Sequence, residues 1–508
     1  MRLRVLVPVV VLGLSSFSPA APVVAAVPAP PGEPISGATP RPARAPSPVL
    51  TIVGRVAVNG SVPLPGVVVS LSGSDRRTTV TDAGGGFRFR VPPGSYVVGP
   101  ARAPGAAFAP EAVRLDNLAA DAIQDFSCSG NCAAGPAVVS GKELVITDPS
   151  VVNDARASNA TGGAPWSFRF LMEQMAPPGT EPSDFVAAWL GQFEIPDGSV
   201  NGFPVDVRRT ATLRQLWPMG DGGKPDLARA PFRLLAIINR VDLHASGNGE
   251  ARLVFGAVDA TGAGRPMTVA FEFLLPTTDP RTGAPVTRAD WAARFHALNG
   301  LPFGPGYNFA LQAITDLFTR RGTSPAGVGG SSLGQVRTNE ILMGGPWQLR
   351  EFHLAGSPDG LGLRLAPTPQ TPVGSAITDG TPEAQALLRY LSGSPAAIHG
   401  GFAAVPQEIL GGQSNENFSW TFGAPVDKAT RRAFAGQTCN GCHFSEITGL
   451  QLDGFYHLSP TADPGADGSG RLSNFIKLIE IPRRTFFMQN LLTCRGATCA
   501  PGAEPALL

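Results

Sequence analysis

Between residues 50 and 100 the apolar positions come in short alternating runs: "TIVGRVAV", "GVVVSLSG", "GFRFRV" and "GSYVVGP". Alternation with period two sends successive side chains to opposite faces of a strand. In "FRFRV" it places Phe87, Phe89 and Val91 on one face and Arg88 and Arg90 on the other. The intervening "NGSVPLPG", "DAGGG" and "VPPG" are turn sequences. Together they predict a small all-β sandwich over residues 49–128.

Farther along, the two periods mix. "RLLAIINRVDL", "EARLVFGAVD" and "MTVAFEFLLP" read as strands, and "QVRTNEILM" with "WQLREFHL" as a hairpin. "RADWAARFHAL" and "YNFALQAITDLFTRR" carry apolar residues at helical spacing. "TPEAQALLRYLSG" is a helix with Thr381 as N-cap, Pro382 in the first turn and Gly393 near its end. Residues 139–424 are therefore expected to form an α+β body of unknown function, without the regular strand–helix alternation of a doubly wound sheet. The whole reads as a multidomain chain: N-terminal all-β sandwich, central α+β body and a C-terminal, mainly α segment over residues 425–508.

What precedes the sandwich has no such patterning. Arg2 and Arg4, an apolar run and the small residues "SPAAPVVAA" predict a cleavable signal peptide over residues 1–26. Residues 27–48 are rich in Pro and Ala and read as a linker. No later stretch approaches the ~18 apolar residues that a membrane-spanning helix needs. A periplasmic or secreted protein is expected. With 40 basic and 39 acidic residues and no long run of one sign, nucleic acid is excluded as the main partner.

Export gives the six cysteines weight, because thiols outside the cytoplasm rarely stay reduced. Cys128 with Cys132, and Cys494 with Cys499, are candidates for small disulfide loops. Cys439 and Cys442 remain, and His443 follows directly. A C-x-x-C-H run is expected by chance on the order of once in a thousand such chains. Two thiols at that spacing can each add to a vinyl group of one haem, with the next imidazole placed as axial ligand to the iron. A plain disulfide or redox pair, and a different metal, are the alternatives. Zinc would want a second C-x-x-C pair, and a thioredoxin-like centre would want a strand before the motif, where here a helix leads in. Glu351 and His353 alternate on one strand face and form a weaker metal candidate. The loop with Asp463 and Asp467 lacks the alternate-position oxygens of a calcium loop, and "GGSSLG" near residue 331 lacks the G-x-S-x-G elbow of a hydrolase.

Two segments resemble known families. "GRVAVNGSVPLPGVVVSLSG" and "TTVTDAGGGFRFRVPPGSYVV" resemble the carboxypeptidase regulatory-like domain, a transthyretin-like sandwich, which implies a spacer or adhesive module. "ATRRAFAGQTCNGCH" resembles the first helix and attachment site of a c-type cytochrome, with Asp427 able to cap that helix. That resemblance implies one covalent haem c per chain, Cys439 and Cys442 as thioether sites and His443 as proximal ligand. It also implies that the aromatic before the motif packs on the terminal helix; Phe434 stands five residues before Cys439, where the family has four. The sixth ligand is expected from His457 or Met488, with His457 favoured. Lys428, Arg431, Arg432, Arg483 and Arg484 read as a basic patch for haem propionates or an acidic redox partner, or else as a solvated helix face. The function expected is electron transfer. The alternatives are a haem-dependent oxidase or peroxidase using the body as substrate domain, and a haem-free, disulfide-stabilised secreted binding protein.

Overall fold

The computed structural model describes residues 49–493 except 76, 83, 101–105, 131, 133–137, 196–197, 201–202, 244–246, 325–326, 345–347, 358–359, 369, 379, 395–397, 399–404, 412–413, 416–425, 427, 436 and 440–455. The expected signal peptide, the linker, His244, His399, Cys442, His443, Cys494 and Cys499 all lie outside the described residues.

The N-terminal part is β-rich. Strand Leu50–Val58 is its hub, pairing antiparallel with Gly86–Val91 and parallel with Phe126–Gly130. A second sheet has the order Arg77–Val80, Val68–Gly73, Gly94–Pro100 and Val113–Leu118. Alternation decides which side chains enter the space between the sheets: Phe87, Phe89 and Val91 are buried, while Arg88 and Arg90 face water. They close on Ile52, Leu71, Val98 and Phe126 in a core separate from that of the rest of the chain. Cys128 is in that core and is bonded to Cys132.

The body is an antiparallel meander. Phe232–Arg240, Glu250–Val258, Gly264–Leu274, Leu333–Asn339, Gln348–Ser357 and Gly360–Ala366 lie side by side in chain order, with Val145–Ile146 at the first edge. Helices Phe168–Met175, Pro182–Gly191, Arg288–His296 and Pro305–Thr319 bring their apolar residues into one core with this sheet. Phe168 is the centre of its aromatic cluster: it stacks on Phe232 at 4.5 Å and meets Trp217, Phe255 and Phe271 edge-on. Local signals agree with this arrangement. Thr287 and Asp290 form a reciprocal capping box, and Thr381 Oγ1 accepts the Ala384 N–H of helix Pro382–Gly393 at 3.1 Å.

The C-terminal residues join the body's core. Phe434, Leu458, Leu472, Phe475, Met488 and Leu491 belong to the same apolar cluster as Phe168. The stretch 457–459 pairs with 471–473 and lies tightly on the sheet: a Cβ on Gly264 would stand 1.8 Å from the Pro460 oxygen, so only glycine admits the approach. The final helix begins with a π turn, Ile476–Glu480, before Ile481–Thr493. Pro482 supplies the reason, because it has no N–H and its ring crowds the preceding turn, which the wider π turn relieves.

Candidate functional site

The approach to Cys439 is helix Lys428–Ala435, whose Thr430, Phe434 and Ala435 are buried. Phe434 meets Tyr390 of helix Pro382–Gly393 edge-on at 5.9 Å. Beyond the helix, Thr438 Oγ1 donates to the Ala435 carbonyl (2.9 Å), and Gln437 Nε2 donates to the Ile398 carbonyl (2.7 Å). Gln370 organises the next step. Its carbonyl accepts the Cys439 N–H at 2.8 Å, its Nε2 donates to the Gln437 carbonyl at 3.2 Å, and its Oε1 accepts the Val405 N–H. Cys439 is thereby held half-buried on the body.

The Cys439 sulfur acts on Arg337, which belongs to a chain of charges running across four strands. Arg252 Nη2 bonds Glu250 at 2.7 Å and reaches Glu272 at 3.2 Å. Glu272 also accepts from Gln335 Nε2 (2.7 Å) and faces Arg337 Nη1 (3.4 Å). Arg337 Nε donates to Glu351 at 2.8 Å, and Glu351 meets His353 Nε2 at 2.6 Å. The register makes this possible, since Arg252 lies opposite Glu272, Glu272 opposite Gln335, and Arg337 opposite Glu351. Three carboxylates and two guanidinium groups alternate in sign, and the His353 imidazole closes the row. Burial alone would raise the Glu351 carboxyl, but Arg337 and the His353 bond outweigh it and hold the group below its usual range. Burial likewise works against a charged Arg337, and Glu272, Glu351 and Cys439 together keep it firmly protonated.

A second buried group lies at the end of strand Leu333–Asn339. Glu340 is fully buried, and its Oε1 accepts from Arg350 Nε at 2.6 Å. Its Oε2 has no hydrogen-bond partner, and burial pushes the carboxyl up to about 7 despite Arg350 and Arg208. Tyr456, where the described chain resumes after the motif, is raised above the usual tyrosine range by burial, with Glu340 adding to the shift.

The other expected ligands occupy different settings. Met488 is fully buried, its sulfur 3.9 Å from Asn239 Nδ2. His457 stacks on Phe475 at 4.8 Å, and its Nδ1 lies 3.3 Å from Ser473 Oγ. The expected basic patch is corrected at Arg483 and Arg484. Arg483 bonds Asp242 (2.7 Å) and Glu480 (3.0 Å), and Arg484 bonds Glu480 (2.9 Å), beside the Arg240–Asp242 pair. Two buried carboxylates draw these arginines inward, so they are not available to a partner or to propionates. Asp463 and Asp467 accept the N–H groups of Gly465 and Ser469, which is turn chemistry. Among the described residues, no group of three or more His, Cys, Asp or Glu side chains is arranged to hold a metal ion. No helix among them is long and apolar enough to cross a membrane.

Of this site, sequence reasoning found Cys439, Glu351 and His353 and missed Glu250, Arg252, Glu272, Arg337 and Glu340. A signal was present. Glu272 is the lone charge inside "MTVAFEFLLP", and charged or polar pairs recur two apart at 250/252, 335/337 and 351/353.

The chain is similar to known proteins over one part. No curated protein matches it. Among solved structures it is similar to "The Bacillus anthracis TIE protein" at 17% identity, over 16% of this chain and 16% of that one, with a TM-score of 0.15. That score is too low for a shared fold to be read from it. Residues 51–122 match the carboxypeptidase regulatory-like domain family, in agreement with the β-rich fold found there.

Proposed function

We propose that this is an exported c-type haem protein that transfers electrons to or from a redox protein through one haem c. Cys439 and Cys442 are its thioether sites, and His443 is its proximal ligand. The observation that carries this reading is the C-x-x-C-H spacing. Support comes from the seat of Cys439, which is backbone-bonded to Gln370 and within electrostatic reach of Arg337. A cation held there favours a thiolate, or a haem propionate, at its side. A bound haem supplies a one-electron iron couple. The protein's own part is to tether the group, ligate it and surround it with charges already locked in pairs. Between the sixth-ligand candidates we favour His457, because Met488 is packed into the core against Asn239. Residues 1–26 are removed on export, residues 27–48 link, and the sandwich acts as a spacer. A second reading, a haem-dependent oxidase or peroxidase, is favoured by Glu340, a buried acid with a pKa of about 7 near Tyr456 and suited to proton transfer.

Expression with c-type maturation machinery tests the reading. The purified protein should carry the mass of one haem through denaturation and acid–organic extraction. Cys439→Ala or Cys442→Ala should leave at most one thioether, and His443→Ala should disturb the ligation. A wild-type mass without added haem overturns the proposal. The ferric spectrum should lack a methionine-to-iron charge-transfer band. A band that is lost in Met488→Ala but not in His457→Ala would assign methionine instead. A high-spin ferric form that reacts with peroxide would favour the enzyme.

A further inference from the structure

Two arginines at one end of the central sheet form no ion pair among the described residues. Arg233, on strand Phe232–Arg240, donates from Nη1 to the Gly262 carbonyl (3.1 Å) and from Nη2 to the Pro460 carbonyl (3.3 Å). Arg471 donates from Nη1 to the carbonyls of Ser459 and Pro460, both at 3.1 Å. Both guanidinium groups therefore converge on one carbonyl oxygen. Neither forms an ion pair with a carboxylate of the described residues. The charge of Asp463 partly offsets the burial of Arg471, and Asp463 Oδ1 accepts the Gly465 N–H.

The contrast with other buried arginines is sharp. Arg240, Arg483 and Arg484 share Asp242 and Glu480, and Arg350 has Glu340. Arg471 is also enclosed, 8% exposed, and Arg233 Nε is shut off from water with no hydrogen-bond partner. Bringing two like charges together in a partly desolvated place is costly. Burial, with Arg233 adding to it, pulls the Arg471 guanidinium below its usual range, and burial does the same to Arg233.

Both arginines line one pocket, with walls that include Pro149, Val152, Leu234 and Pro464 and with Thr147 and Asn153 at its side. Guanidinium N–H forks match the paired oxygens of a carboxylate or phosphate, and the apolar walls suit a short hydrocarbon group attached to it. We propose that this pocket is a binding site for a small oxyanion, held jointly by Arg233 and Arg471. The site is independent of the haem proposal.

The purified full chain should be titrated calorimetrically with sodium phosphate and, separately, with sodium butyrate, at constant ionic strength with sodium chloride as control. Saturable binding of at least one oxyanion, absent with chloride, is expected. Binding of butyrate alone assigns a carboxylate, binding of phosphate alone assigns a phosphate, and binding of both assigns a general oxyanion site. Arg233→Gln should weaken the affinity about tenfold or more, and Arg233→Lys, which keeps the charge, should weaken it less. Arg471→Lys serves as the second variant should loss of the Arg233 contacts unsettle the fold, and it should also weaken binding. No saturable binding of either anion overturns the proposal, and so does binding that is unchanged in folded Arg233→Gln and Arg471→Lys proteins.

Discussion

At Glu340, burial and two arginines pull on the same proton in opposite directions. Burial prevails, because Oε2 has no donor to offset its loss of water, and the carboxyl rises from 4.5 to about 7. A group whose folded pKa is raised contributes stability that is fully present below its unfolded value and lost as pH rises through the folded one. Stability should therefore fall between pH 4.5 and about 7, by at most about 3 kcal/mol. In Glu340→Gln, which keeps an acceptor for Arg350, thermal melting should lose most of that decline. A wild-type melting temperature that is flat over this window would show the carboxylate to be ionised throughout. Nothing in "RTNEILM" announces this, since burial is a property of what surrounds a residue. Thr381 is the opposite case: its capping role is local and was legible in the sequence.

Among the elements, the last helix depends most on charge. Glu480 accepts from Arg483 and Arg484 and lies 3.7 Å from Arg240, and Asp242 takes the other side of Arg240 and Arg483. Glu480→Gln would leave three buried guanidinium groups facing one carboxylate. Removing one partner of such a set costs about 3–5 kcal/mol, so the melting temperature should drop by several degrees or more. A drop of less than about 1 kcal/mol would mean that the set is solvated. Burial tends to raise Asp242 and Glu480, but the arginines outweigh it and hold both carboxyls low. Their contribution is present above the ordinary carboxylate range and lost as pH falls through the lower folded values, so acid should release this helix. Many of the strands and helices were legible as period two and period 3.6, while helices Phe168–Met175 and Pro182–Gly191 and strand Gly360–Ala366 were not read from the sequence. The burial of Arg483 and Arg484 was not, because their carboxylate partners include Asp242, far away in sequence.

For the whole molecule, the two separate cores set the expectation. The sandwich closes on its own apolar residues and touches the last helix through Gln489 Nε2, which donates to the Gly66 carbonyl at 3.2 Å. A protein lacking residues 49–135, with residues 1–48 kept, should still fold cooperatively and carry any haem with an unchanged spectrum. Failure to fold, or altered ligation, would make the sandwich part of the body. The sequence by itself determined what is local: the alternating strands that fill the sandwich, the capped helices, and the C-x-x-C-H spacing on which the haem proposal rests. Those follow from side-chain period and backbone preference within a few residues. Only the tertiary structure decided what depends on distant partners. It put Phe434, Phe475 and Met488 into the body's core, strung Glu250, Arg252, Glu272, Arg337 and Glu351 into one chain of charges, and brought Arg233 and Arg471 together with no ion pair to either among the described residues. The physical reason is that sheet register and desolvation set these pairings, and both arise only when segments far apart in sequence are packed against each other.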